Sequence, residues 1–154
     1  MDLKQLSDRM EIQDLMVDYC YAIDTRDWDA LDRIFTPDAI IDYSEMVGFK
    51  GSVAETKAFL ASSMTAVQAC QHIISTSKIT VTGDTAQGKT VCNNPMVLNP
   101  DGHVMFVGLW YRDTFVRTPD GWRISSRYEE NSWRFNVPAG LLTASRGVTN
   151  APAR

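Results

Sequence analysis

Two residues of this chain, Asp24 and His72, have the types and surroundings that proton-transfer chemistry requires. Asp24 ends an apolar helical stretch and falls one turn beyond Cys20 and Tyr21, so its carboxylate points toward the interior those side chains enter. At a helix C-terminus the macrodipole disfavours a negative charge. An acid so placed needs a cationic or hydrogen-bond-donating partner, or burial raises its pKa; the alternative is a solvated residue before the Thr25-Arg26-Asp27 turn. His72 opens a long β-type segment on the side of Cys70 and Ile74, as a hydrogen-bonded core residue or a general base. His103 follows the Pro100-Asp101-Gly102 turn and reads as solvated. A carboxylate bound to one ring nitrogen of His72 would fix the tautomer and leave the other nitrogen free to take a proton.

The last β-type segment, WRISSRYEENSWRF, is crowded with charge. One of its faces must meet water, a subunit interface or a polar cavity. Arg123, Glu129 and Arg134 read as solvated or mutually paired. Strict alternation sets Arg127 opposite Trp122 and Ile124, so it reaches a cavity only if the strand is bent or bulged, or if the other face lines that cavity. Asn93-Asn94-Pro95 interrupts the second long segment; Pro95 suggests a bulge or an edge, where an Asn can donate to a ligand oxygen or satisfy the bulge. Gly-x-Gly-x-x-Gly, Walker, His-Glu-x-x-His and Gly-x-Ser-x-Gly patterns are all missing. One buried histidine with scattered acids makes a poor metal site, and none is expected.

The elements that must position these residues follow from periodicity. A first helix runs from Leu3 or Ser7 to Ile23, with Ile12, Leu15, Met16, Tyr19, Ala22 and Ile23 on its apolar face and Val17, Cys20 and Tyr21 widening it. Asp27 caps a short second helix, Trp28 to Phe35, which Thr36-Pro37-Asp38 stops. A short strand takes Ala39 to Tyr43, Gly48 and Gly51 break the pattern, and Ser52-Val53-Ala54-Glu55 is a capping box for a third helix to about Val67. Four β segments come next, Cys70–Val81, Thr85–Leu98, His103–Arg117 and Gly121–Phe135, divided by turns too short for parallel crossovers, hence an antiparallel meander. Helices first and sheet after make one α+β domain with the helices on one face of the sheet, its core spanning about 7–140 and an irregular tail 137–154 that lies on a neighbouring subunit.

Bulk properties narrow the partners. The 154 residues, 44% hydrophobic and 22% charged, suit a single domain with room for one enclosed cavity. A net charge of -4 without basic runs argues against nucleic acid and anionic membranes. Three cysteines without Cys-x-x-Cys spacing read as buried thiols in a reduced compartment, and the first residues lack a signal-peptide pattern, so the expected location is cytoplasmic.

The stretch IQDLMVDYCYAIDTRDWDALDRIFTPDA, the FKG before the third helix and the DGWRISS of the last strand resemble the SnoaL-like branch of the nuclear transport factor 2 superfamily. That resemblance implies a cone-shaped, cystatin-like α+β fold, with three N-terminal helices packed into a strongly curved, mostly antiparallel sheet. Within the branch the chain is most similar to the group of scytalone dehydratase, bile-acid dehydratase and hexachlorocyclohexane dehydrochlorinase. The Asp that ends helix one and the His that starts the first long strand in that group match Asp24 and His72. Tyr19 stands where the bile-acid enzyme has a Tyr, and Arg127 follows Trp122 at the spacing of an Arg in the dehydrochlorinase. The departure is on the second long strand, where Asn93 and Asn94 replace the second His or Asp of the dehydratases.

By this resemblance the protein is a cofactor-free lyase acting on a hydrophobic, cyclic small molecule. His72 is the base, Asp24 holds it, Arg127 or Tyr19 stabilises the leaving group or an enolate oxygen, and Asn94, Tyr43, Met96, Phe106 and Trp110 contact substrate. An isomerase or cyclase using the same dyad, or a non-catalytic binding or assembly module, are the alternatives. Members of the group are commonly trimers, so a homo-oligomer, trimer or dimer, is expected.

Overall fold

The structure, a computed structural model, describes residues 2–142. Asp2 opens the chain with a capping box, accepting from the Gln5 amide while the Gln5 side chain accepts from its own. Helix α1 (Leu3–Thr25) follows, closed by Arg26 in the left-handed conformation at φ 61°. Its apolar face buries Ile12, Leu15, Met16, Tyr19, Cys20, Ala22 and Ile23. Val17 and Tyr21 do not widen that face: they are 37% and 68% exposed, because the second row has rotated past the sheet into water. Asp27 caps a 3-10 turn, Trp28–Ala30, that leads into α2 (Leu31–Ile34).

Strand β1 (Phe35–Tyr43) begins earlier than expected and absorbs Thr36-Pro37-Asp38 as an irregularity between its Phe35 and Ile40 pairings. A one-turn helix α3 (Ser44–Val47), ended by Gly48 at φ 73°, and strand β2 (Phe49–Ser52), which contains Gly51, were hidden by the short pattern. The Ser52–Glu55 capping box starts α4 (Val53–Ser63), and a 3-10 turn, Met64–Ala66, completes it.

The remaining strands are β3 (Val67–Cys70), β4 (Ile73–Thr82), β5 (Thr85–Leu98), β6 (Val104–Thr118) and β7 (Gly121–Phe135). They form one mixed, strongly curled sheet ordered β2-β1-β7-β6-β5-β3, with β4 also on β5. The β4 to β7 run is the expected antiparallel meander, while β1 joins β7 in parallel. The helices line the concave side and the core fills the space between, around Ile12, Met16, Phe35, Ile41, Phe115 and Ile124. Asp8 docks α1 on the sheet, accepting from Arg117 at 2.6 Å and from the Trp122 indole at 3.3 Å.

Two irregularities matter for the site. The segment expected as one strand from Cys70 to Val81 is split at Gln71–His72 into β3 and β4. On β5 the residue opposite the split is Pro95, whose carbonyl accepts from the Gln71 amide but whose nitrogen has no hydrogen to return. The ladder fails there while the β5–β6 ladder runs straight through Asn93, Asn94 and Pro95. On β7, pairing jumps from Ile124 to Ser126 and from Asn131 to Trp133, so Ser125 and Ser132 are bulged. Each bulge reverses the alternation of the residues after it.

Of the expected irregular tail, Ala139–Leu142 forms a short helix, α5; residues 143–154, and with them the expected subunit contact, lie outside the described residues. No helix among the described residues is long and apolar enough to cross a membrane.

Candidate active site

The end of α1 is pinned beside β3 by Arg26, whose guanidinium donates to the Val67 carbonyl at 2.6 Å. That attachment aims Asp24 at the gap between β3 and β4. Its carboxylate accepts from the His72 main-chain amide at 2.8 Å, stands 2.6 Å from His72 Nδ1, and takes the Cys70 thiol at 3.3 Å. Burial works against the Asp24 charge, but the bonds from the His72 ring and main chain outweigh it and keep the carboxyl below its ordinary value. The donor requirement of an acid at a helix C-terminus is thus met by one residue, twice.

Because the carboxylate can only accept, the neutral ring carries its hydrogen on Nδ1 and its lone pair on Nε2. Asn94 Nδ2 lies 3.0 Å from Nε2 and donates to it, while Asn94 Oδ1 is buried without a partner. Half a turn of the amide would present that oxygen instead, so Asn94 can serve Nε2 both as a lone pair and as an N–H. A neutral hydrogen bond of this kind is worth about 1 kcal/mol net, which a ligand can displace.

His72 and Asn94 open on a cavity of about 360 Å³, at the small end of ligand pockets, which run from about 300 to 1,000 Å³. Its wall is mainly apolar, with Met96 from β5, Leu109 from β6 and Phe59 from α4 among the contributors. Tyr19 and Tyr43 line it with their hydroxyls 2.6 Å apart, and Tyr19 stands edge-on to the His72 ring at 6.4 Å. Burial raises both phenols above their ordinary value, so they enter the cavity as neutral donors. Arg134 lines the rim and donates to the carbonyls of Glu45 and Met46 at 2.6 and 3.1 Å, tying α3 to β7.

Of the residues read from the sequence, His72, Tyr19, Tyr43, Asn94 and Met96 share this cavity, with Asp24 behind His72. Phe106 and Trp110 do not line it. Strand β6 alternates without a bulge from Met105 to Phe115, so even-numbered side chains face outward: Phe106 is 38% exposed against Phe135, and Trp110 lies under Lys89. Arg127 does turn inward, because the bulge at Ser125 puts it on the side of Ile124, but it does not reach the cavity. It is fully buried, clasped by Asp113 at 2.8 and 2.7 Å and held between the rings of Tyr19 and Tyr111.

The same bulge turns Glu129 inward against its solvated reading, and the second, at Ser132, returns Arg134 to the face of Trp122 and Ile124 despite the solvated reading of its charge; both line the cavity. Among the described residues, the Glu129 carboxyl has neither a hydrogen bond nor an ion pair. Burial pushes it up to about 8, against the pull of Arg127 and with the push of Asp113. Strict alternation could not find it; two serines flanking a charged run, taken as bulges, would have.

The atoms of Asp24, Cys70 and His72 that could bind a metal lie within 4.8 Å of one another, the one such cluster among the described residues. They are spent on each other, and burial pushes the Cys70 thiol up to about 12, far from a thiolate ligand. A separate depression of about 290 Å³ outside α1, near Tyr21 and Arg33, shares no lining residue with the cavity.

The family model for the SnoaL-like domain matches residues 4–128. An uncharacterised protein of Mycobacterium tuberculosis (strain H37Rv) is 47% identical over 130 residues, covering 84% of this chain and 88% of that protein. The crystal structure of the Kfla4162 protein from Kribbella flavida superposes with TM-score 0.80 at 26% identity, over 93% of this chain and 99% of that one. The hexachlorocyclohexane dehydrochlorinase LinA-type3 from Novosphingobium barchaimii LL02 shares the fold at TM-score 0.77 and 19% identity, over 99% and 100%.

Proposed function

The chain belongs to the SnoaL-like family, with the nuclear transport factor 2 type of fold, and from that premise we propose that it is a cofactor-free lyase acting on a compact, hydrophobic small molecule. The observation that carries this reading is the 2.6 Å contact between His72 Nδ1 and Asp24, with Nε2 turned toward the cavity. His72 Nε2 removes a proton from a carbon next to a carbonyl or other activating group. Asp24 holds the tautomer and stabilises the positive ring that results. Asn94 gives up its bond to Nε2 as substrate enters and, rotated, accepts from the protonated ring.

The hydroxyls of Tyr19 and Tyr43 are neutral and close enough to form a pair of donors for an enolate oxygen. The apolar wall selects ligands with little charge, in keeping with a cyclic ketone, alcohol or halide. Arg127, committed to Asp113, has no direct part; it stiffens the wall behind Tyr19. The likeness to a dehydrochlorinase supports an elimination only at the level of a shared fold.

The test is a turnover screen of cyclic β-hydroxy and β-halo ketones, followed by loss of the activated proton and by release of water or halide. His72→Ala should lower kcat by roughly 100-fold or more and Asp24→Asn by a comparable factor, with KM little changed. Full activity in His72→Ala would refute the reading.

A further inference from the structure

Resting on that reading, a second proton-transfer group can be assigned. An elimination that expels hydroxide needs a donor as well as a base, since hydroxide is too basic to leave unassisted. On β5, where a second acid or base could face His72, the chain has Asn94, whose amide hydrogens can be shared in a hydrogen bond but are too weakly acidic to transfer. Among the described residues, the cavity has one carboxyl that can: Glu129, on β7.

Its placement is unusual for an acid. The bulge at Ser125 turns it inward, its main chain pairs opposite Tyr111 on β6, and its side chain faces the same space as His72 while making no hydrogen bond among the described residues. An unpartnered carboxyl in an apolar cavity costs stability unless a ligand completes it. The groups that act on it electrostatically are Tyr19 from α1, Tyr43 from β1, Cys92 from β5, Tyr111 and Asp113 from β6, and Arg127 on its own strand. Four of these are neutral when buried, and the opposite charges of Asp113 and Arg127 are clasped to each other; Arg127 Nη1 has no hydrogen-bond partner among the described residues, yet it makes neither a hydrogen bond nor an ion pair to Glu129. His72 and Arg134 share the cavity wall, with Arg134 engaged at α3.

We infer that Glu129 is the proton donor of the site, delivering its carboxylic proton to the leaving hydroxyl of a β-hydroxy carbonyl substrate. His72 Nε2 takes the proton from the carbon next to the carbonyl, and that electron pair becomes the carbon–carbon double bond. The bond from the β-carbon to oxygen breaks, the Glu129 proton joins the departing oxygen, and water is released. The site is left with a protonated His72 and an ionised Glu129, and proton transfer from one to the other through water restores both. The assignment favours dehydration over dehydrohalogenation, since a halide leaves without a proton.

The experiment compares a cyclic β-hydroxy ketone with the β-chloro ketone of the same skeleton in wild type, Glu129→Gln, Glu129→Asp and His72→Ala. Glu129→Gln should lower the alcohol-to-chloride rate ratio by about 100-fold, in the range general acids supply; Glu129→Asp should recover part of it. His72→Ala should slow both substrates alike. The wild-type rate on the alcohol should fall as pH rises past about 8, and Glu129→Gln should lose that limb. Difference infrared spectra of wild type against Glu129→Gln should show a carboxylic acid stretch at about pH 6 that vanishes by about pH 9. An unchanged ratio in Glu129→Gln, with His72→Ala inactive on both, overturns the donor and leaves the lyase standing; so does an ionised Glu129 at about pH 6. No wild-type turnover of any such pair overturns both.

Discussion

Glu129→Gln should make the protein more stable in alkaline solution, whatever the activity turns out to be. The ordinary carboxyl value of 4.5 governs the unfolded chain, and the folded value is about 8. Between those limits the folded protein holds a proton that the unfolded chain has released, so unfolding gives up a proton and stability falls as pH rises; above about 8 both states are ionised and the loss is complete. A shift of that size corresponds to about 5 kcal/mol, and because Glu129 is half-buried, solvent screening reduces it to roughly 2–5 kcal/mol. Glutamine has the same shape and no charge to bury. Urea unfolding followed by tryptophan fluorescence should therefore give the two proteins similar stabilities at about pH 5 and a gap of roughly 2–5 kcal/mol in favour of Glu129→Gln at about pH 9. The difference between the curves cancels every other titrating group that the two proteins share. Parallel curves across that range, or a wild type that gains on the variant as pH rises, would refute the burial argument and remove the physical basis for a proton held at neutral pH.

Asp113→Ala leaves the Arg127 guanidinium buried between two tyrosines with no countercharge, and should cost about 3–5 kcal/mol, or roughly 10 °C in Tm by calorimetry; a loss below about 1 kcal/mol would mean that water or Glu129 takes up the charge. Gly108→Ala places a methyl 2.1 Å from the Trp133 indole nitrogen, so the ring must swing off the outer face of β6. Because Trp133 is already 45% exposed, the cost should be near 1 kcal/mol, seen with a red-shifted emission that Trp133→Phe abolishes.

Periodicity and composition sufficed for the layout: α1, the Ser52 capping box and the last three long strands lie where the residues put them, while the first is split at Gln71–His72. The Asp24–His72 pair was legible in two steps: an acid ending an apolar helix needs a donor or solvent, and the match of both residues to the family resemblance pointed to His72 as that donor. What stayed hidden depends on main-chain register. A bulge adds a single residue without a sequence signature of its own, and the two on β7 decide which of its charges face inward. Strict alternation therefore left Glu129 in solvent, Arg134 was read as solvated for its charge although the two bulges cancel at its position, and Phe106 and Trp110 were assigned to a cavity that the regular β6 turns away from. Short elements such as α3 and β2 escaped because four residues hold too little periodicity to read.

The imino nitrogen of Pro95 has one more effect. Since β3 and β4 are each zipped to β5 but not to one another, they belong to separable cooperative units, and β3 pairs only three of its residues. Fraying of β3 would release the Cys70 and Gln71 attachments and unseat the His72 ring while leaving the β4–β7 meander closed. Amide exchange around residues 67–72 would then report the lifetime of the assembled site, a quantity that global unfolding never sees.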